Sequence, residues 1–435
     1  MPVTSYWCEQ AWLPGGVASG VRVDIAEGRI TGVSPDQPRT GTVLSGLTMP
    51  GFANAHSHAF HRALRGRTHG EQGTFWTWRE RMYALAGRLD PDSYHRLARG
   101  VYAELVLAGY TSVGEFHYLH HAPGGARYAD ENAMSAALVA AAADAGIRLT
   151  LLDTCYLSGG FGKELAGPQL RFGDGDAQAW AERVSAFRPE GGHVVLGAAV
   201  HSVRAVPEHE LPVVAAWARG RPLHVHLSEQ RAENTDCAAA SGRTPSALLA
   251  DAGVLGPRTV AVHATHLTGA DISALAGAGT WACFCPTTER DLGDGIGPAR
   301  ALADAGVRLC LGSDSHAVVD AFEETRALEL DERLASQQRG RFAVTELRAA
   351  ATGHAALGWD GAGAIEPGAH ADLVTVDLGS VRTAGSAPDG VFYAASAADV
   401  TDVLVAGRRV VRDRAHVLVD RPHQLLATEI GRLWS

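Results

Sequence analysis

Two histidines separated by one residue, His56 and His58 in PGFANAHSHAF, head the side chains able to do chemistry. On an extended strand, residues two apart point the same way, so both imidazoles would face one side, which suits a borderline ion such as Zn²⁺. Further along, LHVHLSEQ supplies His224, His226 and Glu229, VHATH supplies His263 and His266, and LGSDSH supplies Asp314. An isolated H-x-H pair is often only a surface feature. Separate apolar runs that each end in imidazole or carboxylate point instead to one metal centre, with Asp314 able to touch both the metal and a water it activates.

The elements carrying these residues repeat. Strand-like runs are expected at Thr48–His58, Thr111–Phe116, Ile147–Thr154, His193–Val200, Pro222–Leu227, Thr259–His263, Thr280–Cys285 and Val307–Asp314. Helices are expected between them at Pro91–Ala108, Glu131–Ala145, Ala177–Phe187, Pro207–Arg219, Pro245–Ala252, Gly269–Ala276, Gly297–Ala305 and Val319–Arg333. Several begin with Pro, or after Asp or Ser, and end near Gly, as helix ends favour. Eight strand–helix repeats match an α/β fold of the TIM (β/α)8 barrel type, whose active face lies at the C-terminal strand ends. A doubly wound sheet that binds a nucleotide would need G-x-G-x-x-G or G-x-x-x-x-G-K-[ST], and neither occurs.

The two ends read differently. VRVDIAEGRITGV near the start, and HADLVTVDL and VTDVLVAGRRVVRD near the end, alternate like strand pairs around tight turns. The expected organisation is residues 1–47 as the first part of a small β-sandwich, 48–366 as the barrel, and 367–435 as the rest of the sandwich plus a final helix, Gln424–Leu433.

With 38 Lys+Arg against 48 Asp+Glu, the formal charge is −10, which argues against nucleic acid or an anionic membrane as partner. No apolar run reaches a membrane span, and MPVTSYWCEQAWLPGG lacks the basic and apolar regions of a secretory leader. Six dispersed cysteines make no disulfide framework, so the reducing cytoplasm is the expected location. The Cys283-x-Cys285 pair reads as buried strand cysteines rather than a metal site.

PGFANAHSHAF, HVHLSE, VHATH and GSDSH together resemble the amidohydrolase superfamily of barrel metallohydrolases. HVVLGAAVHSVR offers no lysine for a carbamylated bridge, so the resemblance is to the branch with one metal. FWTWRERMY, GYTSVGEFHYLHH, VHSVRAV and HVHLSEQ are similar, more narrowly, to the deiminases of that superfamily that hydrolyse N-formimino-L-glutamate to N-formyl-L-glutamate and ammonia in histidine degradation. The resemblance spans essentially the whole chain. It implies one divalent metal, with zinc the usual ion, on His56, His58, His226 and Asp314. It implies acid/base work by Glu229 and His263 with Asp314, and substrate contacts from Arg79, Tyr118, His201 and Arg204. It also implies a homodimer. One departure stands out, since His61 occupies the place of the family's glutamine and would alter the pocket's hydrogen bonding.

Glutamate's two carboxylates call for fixed cations, and Arg gives planar bidentate geometry that Lys lacks. Arg79 and Arg204 follow the first and fourth strands, on the active face. A deaminase for guanine or a related ring would not require both arginines, and a non-catalytic barrel scaffold would not keep the full donor set. Blander readings attach to the rest. His224 and His266 are expected as supporting or loop residues, and His117, His120 and His121 as supporting residues behind the site, with simple solvation the alternative for His120 and His121. Trp76 and Trp78 are expected to pack a loop after the first strand, and Glu323-Glu324 to be solvated charge.

Overall fold

The computed structural model describes residues 3–68 and 73–435. Four strands open the chain: β1 (Thr4–Leu13), β2 (Gly16–Ala26), β3 (Arg29–Ser34) and β4 (Thr42–Pro50). Eight follow in the middle: β5 (Phe52–Ser57), β6 (Tyr110–His117), β7 (Arg148–Cys155), β8 (Val194–Val200), β9 (Leu223–Leu227), β10 (Thr259–His263), β11 (Trp281–Phe284) and β12 (Leu309–Leu311). Four close it: β13 (Leu373–Val376), β14 (Val400–Val405), β15 (Arg408–Arg412) and β16 (Ala415–His416).

β5 to β12 pair in chain order, all parallel, as a nearly closed eight-stranded barrel. β5, β6 and β7 are buried at every position, as strands covered on both faces must be. Helices pack outside, with ends set by local chemistry. Asp90 accepts a hydrogen bond from Ser93 N ahead of Pro91, and Asp176 caps Ala177–Ala186 through Ala179 N. Each expected barrel strand is present. The first differs in extent: Thr48–Pro50 belong to β4 in another sheet, and the barrel strand begins beyond Gly51. A Cβ at Gly51 would lie 2.3 Å from Thr111 Cγ2, so only glycine lets the chain pass between the two sheets.

Both termini build one mixed sheet, in the order β16-β15-β14-β13-β4-β1-β2-β3. Tyr6, Val21, Val23, Leu44, Leu373 and Leu404 from this sheet share a core. The buried Arg148–Asp372 pair, 2.7 Å apart, ties the start of β7 to β13. The last helix, Pro422–Trp434, lies on Pro91–Leu107, and Trp434 Nε1 donates to Ala63 O at 2.9 Å. No helix among the described residues is long and apolar enough to cross a membrane.

The barrel closes between β5 and the chain just after β12. His56 O accepts from Ser313 N at 3.1 Å and from Asp314 N at 2.9 Å, and His58 N donates to Asp314 O at 3.1 Å. The Asn54 side chain bonds Ser313 twice, at 2.7 and 2.9 Å. Gly312 permits the approach, because a Cβ there would lie 2.8 Å from both Cβ and O of His56. Gly312→Ala is expected to cost about 1–3 kcal/mol through forced displacement of the seam. Thermal unfolding of the two proteins, alongside their divalent-metal affinity, checks this: both should fall together.

Candidate metal centre and active-site cavity

His56 and His58 end β5, His226 lies in β9, and Asp314 follows β12. The structure brings all four together. His56 Nε2 lies 3.1 Å from His226 Nε2, and Asp314 Oδ1 lies 3.4 Å from Nε2 of both His56 and His58. His58 Nδ1–H donates to Phe116 O and His226 Nδ1–H to His201 O, each at 2.9 Å. Those bonds fix the tautomers and turn the Nε2 lone pairs inward. Burial pushes His56 down to about 4 and, with His56 as neighbour, His58 to about 3. Neutral imidazoles facing one another around a carboxylate are a donor set that fits a divalent cation. Burial opposes ionisation of Asp314, but His56, His263 and His58 together outweigh it and hold the carboxyl well below the usual range.

Beside these donors lie two further groups. His263, at the end of β10, has Nε2 3.8 Å from Glu229 Oε1 and 3.8 Å from Asp314 Oδ2, while Nδ1 lies 3.3 Å from Glu289 Oε1. Burial opposes its protonation, but the carboxylates of Glu229, Glu289 and Asp314 prevail and push it up to about 10. Burial pushes Glu229 up to about 7, a range suited to proton transfer near neutrality. Ser228, His263, Ala264 and Asp314 all have left-handed backbone, with φ of 52, 69, 50 and 40°. Strain gathered in this way is typical of functional sites.

His58, His226 and Asp314, with Glu229 and His263 beside them, floor a cavity of about 50 Å³. His61, Arg79, Tyr118, His201 and Arg204 all line it, as do Trp78, Met82, Tyr83 and Tyr156. His61 Nε2 lies 2.9 Å from Tyr118 OH, with its ring over His58 at 4.5 Å between centroids. Arg204 Nε donates to Glu233 Oε2 at 3.0 Å, and Glu233 in turn accepts from Ser228 N at 2.9 Å. The Arg79 guanidinium lies 4.4 Å from the Trp76 ring centre and 5.5 Å from that of Tyr83.

Several expectations are corrected here. Trp76 and Trp78 belong to a helix, Phe75–Ala86, not to a loop. Phe75, Trp78, Arg79, Met82 and Tyr83 all line the cavity, and their spacing of three, four, seven and eight residues is one helical face visible in the sequence. That helix is held by Arg171, 0% exposed, whose guanidinium donates to carbonyls at Ala86 and Leu89 near the helix end and to His121 O. His120 and His121 are buried, not solvated: their Nε2 atoms bond Thr154 O at 2.9 Å and Asp174 at 3.0 Å. Glu324 is likewise buried and accepts from Thr287 N at 3.1 Å. His224 and His266 support the backbone, bonding Ala356 O and Asp294 O. All six cysteines are buried and free. Tyr156 and Gln169 carry no local mark in the sequence, and nothing local pairs Tyr83 with them.

Behind the site, Glu115 accepts from Ser57 Oγ at 2.8 Å and Ala59 N at 2.7 Å, bracing the turn that holds His58. Burial pushes it up from 4.5 to about 7. A carboxyl whose folded value exceeds its unfolded one stabilises below the unfolded value and loses that contribution as pH rises through the folded one. The melting temperature of the metal-free protein should therefore fall between about pH 5 and 8, and Glu115→Gln should flatten that slope. For the donor set, His58→Ala and Asp314→Asn should each weaken divalent-metal binding at least about tenfold, whereas Glu229→Gln keeps it. Metal analysis after dialysis distinguishes these outcomes.

The comparisons with known proteins agree with this geometry. Residues 47–410 match the model of the amidohydrolase family. A formimidoylglutamate deiminase from Pseudomonas aeruginosa is 38% identical, the match covering 99% of this chain and 100% of that protein. Among solved structures, an amidohydrolase from Brucella melitensis is 33% identical with a TM-score of 0.90, covering 99% of this chain and 100% of that one. An adenosine deaminase from Xanthomonas campestris with bound zinc is 25% identical with a TM-score of 0.84, over 99% and 97% of the two chains. The barrel and its terminal sheet are therefore a shared fold, and the chain belongs to the amidohydrolase family.

Proposed function

We propose that the protein is a deiminase that hydrolyses N-formimino-L-glutamate to N-formyl-L-glutamate and ammonia, as in histidine degradation, with one zinc ion held by His56, His58, His226 and Asp314. The observation that carries this reading is the placement of Arg79 and Arg204 on the wall of the cavity whose floor is the donor set. Two guanidiniums suit a substrate with two carboxylates, whereas a neutral purine carries no anionic group to pair with them. The full-length likeness to a formimidoylglutamate deiminase supports the same choice. The zinc in the adenosine deaminase of the same fold supports the metal, and six unpaired buried cysteines suit a reducing cytoplasm.

The bound ion would supply a water acidic enough to react near neutrality. Asp314, whose carboxylate lies 3.4 Å from His56 and His58 and 3.8 Å from His263, would take the proton released as a water oxygen bonds the formimino carbon. Glu229, near His263 and with its carboxyl pushed up to about 7, delivers protons to the imino nitrogen. Both water protons end on that nitrogen, the carbon–nitrogen bond breaks, ammonia leaves and the carbonyl forms. His263 steadies the developing charge between Glu229 and Asp314. Arg79, Arg204, Tyr118, His201 and His61 hold the glutamate end, so that the amidine carbon stays over the floor.

Ammonia release from formimino-L-glutamate by the zinc-loaded protein tests the reading, with formiminoglycine and guanine as comparison substrates. Turnover of the glutamate compound above the others is expected, and turnover of guanine alone would overturn the substrate assignment. Arg79→Met and Arg204→Met should each raise KM about 10–100-fold, the range of a lost charge-assisted contact, and should affect kcat far less.

A further inference from the structure

We propose that Tyr83 and Tyr156, aligned by Gln169, form a carboxylate-reading element of the cavity separate from the two arginines, one that favours a carboxylate over its amide. The proposal rests on the substrate reading above and adds to it. Tyr83 comes from the Phe75–Ala86 helix and Tyr156 from the chain just after β7, yet both line the cavity and their hydroxyls lie 3.4 Å apart. Gln169 Nε2 lies 3.2 Å from the Tyr83 hydroxyl and 3.1 Å from that of Tyr156. The side-chain amide is oriented by its Oε1, which accepts from Ala166 N at 3.4 Å.

The polarity follows from the groups involved. An amide NH₂ has two protons and accepts nothing, so both phenol oxygens must be acceptors from Gln169. Each hydroxyl proton is then left to donate to its neighbour or into the cavity. Burial raises the Tyr156 phenol, so it stays protonated and remains a donor. A carboxylate is acceptor-only with about four lone-pair directions, and a guanidinium in bidentate contact meets two of them, so each carboxylate has room for further donors. One of the two guanidiniums already spends its Nε on Glu233. The pair of hydroxyls beside Arg79, which stacks over Tyr83, supplies those further donors. An amide in that position would set its own NH₂ protons against the hydroxyl protons. Gln169 touches no substrate and is a positioning residue.

Gln169→Glu preserves shape and replaces the NH₂ with an acceptor oxygen, turning both hydroxyl protons away from the cavity. We expect the kcat/KM for formimino-L-glutamate, divided by that for formamidine (which has no carboxylate), to fall about 100-fold, mainly through KM. Tyr83→Phe and Tyr156→Phe should each lower the same ratio about tenfold. Loss of activity on both substrates, with the ratio kept within about threefold, would mark a merely structural role and overturn the proposal. Should wild type turn over no formimino-L-glutamate, the substrate reading fails, and glutarate binding followed by tryptophan fluorescence decides the element separately. A dissociation constant at least about tenfold weaker in Gln169→Glu and Tyr83→Phe supports it, and unchanged binding overturns it.

Discussion

Between β5 and β12 the main chain closes the barrel and spaces the donor set with the same hydrogen bonds. His56 O receives Ser313 N and Asp314 N, and His58 N reaches back to Asp314 O. Two imidazoles and a carboxylate are thus hung from adjoining backbone positions, and their separations follow from a strand seam rather than from side-chain freedom. Such preorganisation is what a metal centre requires, since displacements of a fraction of an ångström matter. Gly312 allows the strands to approach, and the left-handed turn at Asp314 aims its carboxylate across the mouth.

Burial then determines the electrostatics. Removed from water, the imidazoles of His56 and His58 stay neutral, while Asp314 stays ionised because its neighbours hold it so. Neutral nitrogen donors and one anion are matched to a cation. The carboxylates next to His263 act in the opposite direction, pushing it up to about 10 while Glu229 rises to about 7. One small space therefore contains groups whose proton affinities are driven apart, and that divergence lets one site accept and donate protons in turn.

The cavity wall has a different origin from its floor. The floor comes from strand ends, whereas the wall comes from the Phe75–Ala86 helix and the chain after β6, β7 and β8, backed by the turn at Gly167–Arg171. Arg171 ties this turn to the helix end by donating to Ala86 O and to Leu89 O just beyond it, and to His121 O after β6, while Gln169 donates to two phenols, one from the helix and one from the chain after β7. Substrate recognition can vary on this wall while the chemistry below stays fixed. His61, which sits on His58 and bonds Tyr118, connects the two layers.

Much of the architecture was legible in the sequence because apolar runs and capped, Ala-rich helices repeat in strict alternation, and because His and Asp recur where those runs end. The helix Phe75–Ala86 was legible too, in the spacing of Phe75, Trp78, Met82 and Tyr83, though aromatic density suggested a packed loop. The burial of His120, His121 and Glu324 was not, because a charged or imidazole side chain looks solvated until its partners, Thr154, Asp174 and Thr287, are placed beside it. The sequence by itself determined the repeat, the donor types and the family resemblance, all of which are local patterns. The tertiary structure alone decided that Tyr83, Tyr156 and Gln169 meet. Contacts between hydroxyls 73 residues apart leave no trace in local spacing and exist only once the barrel has folded.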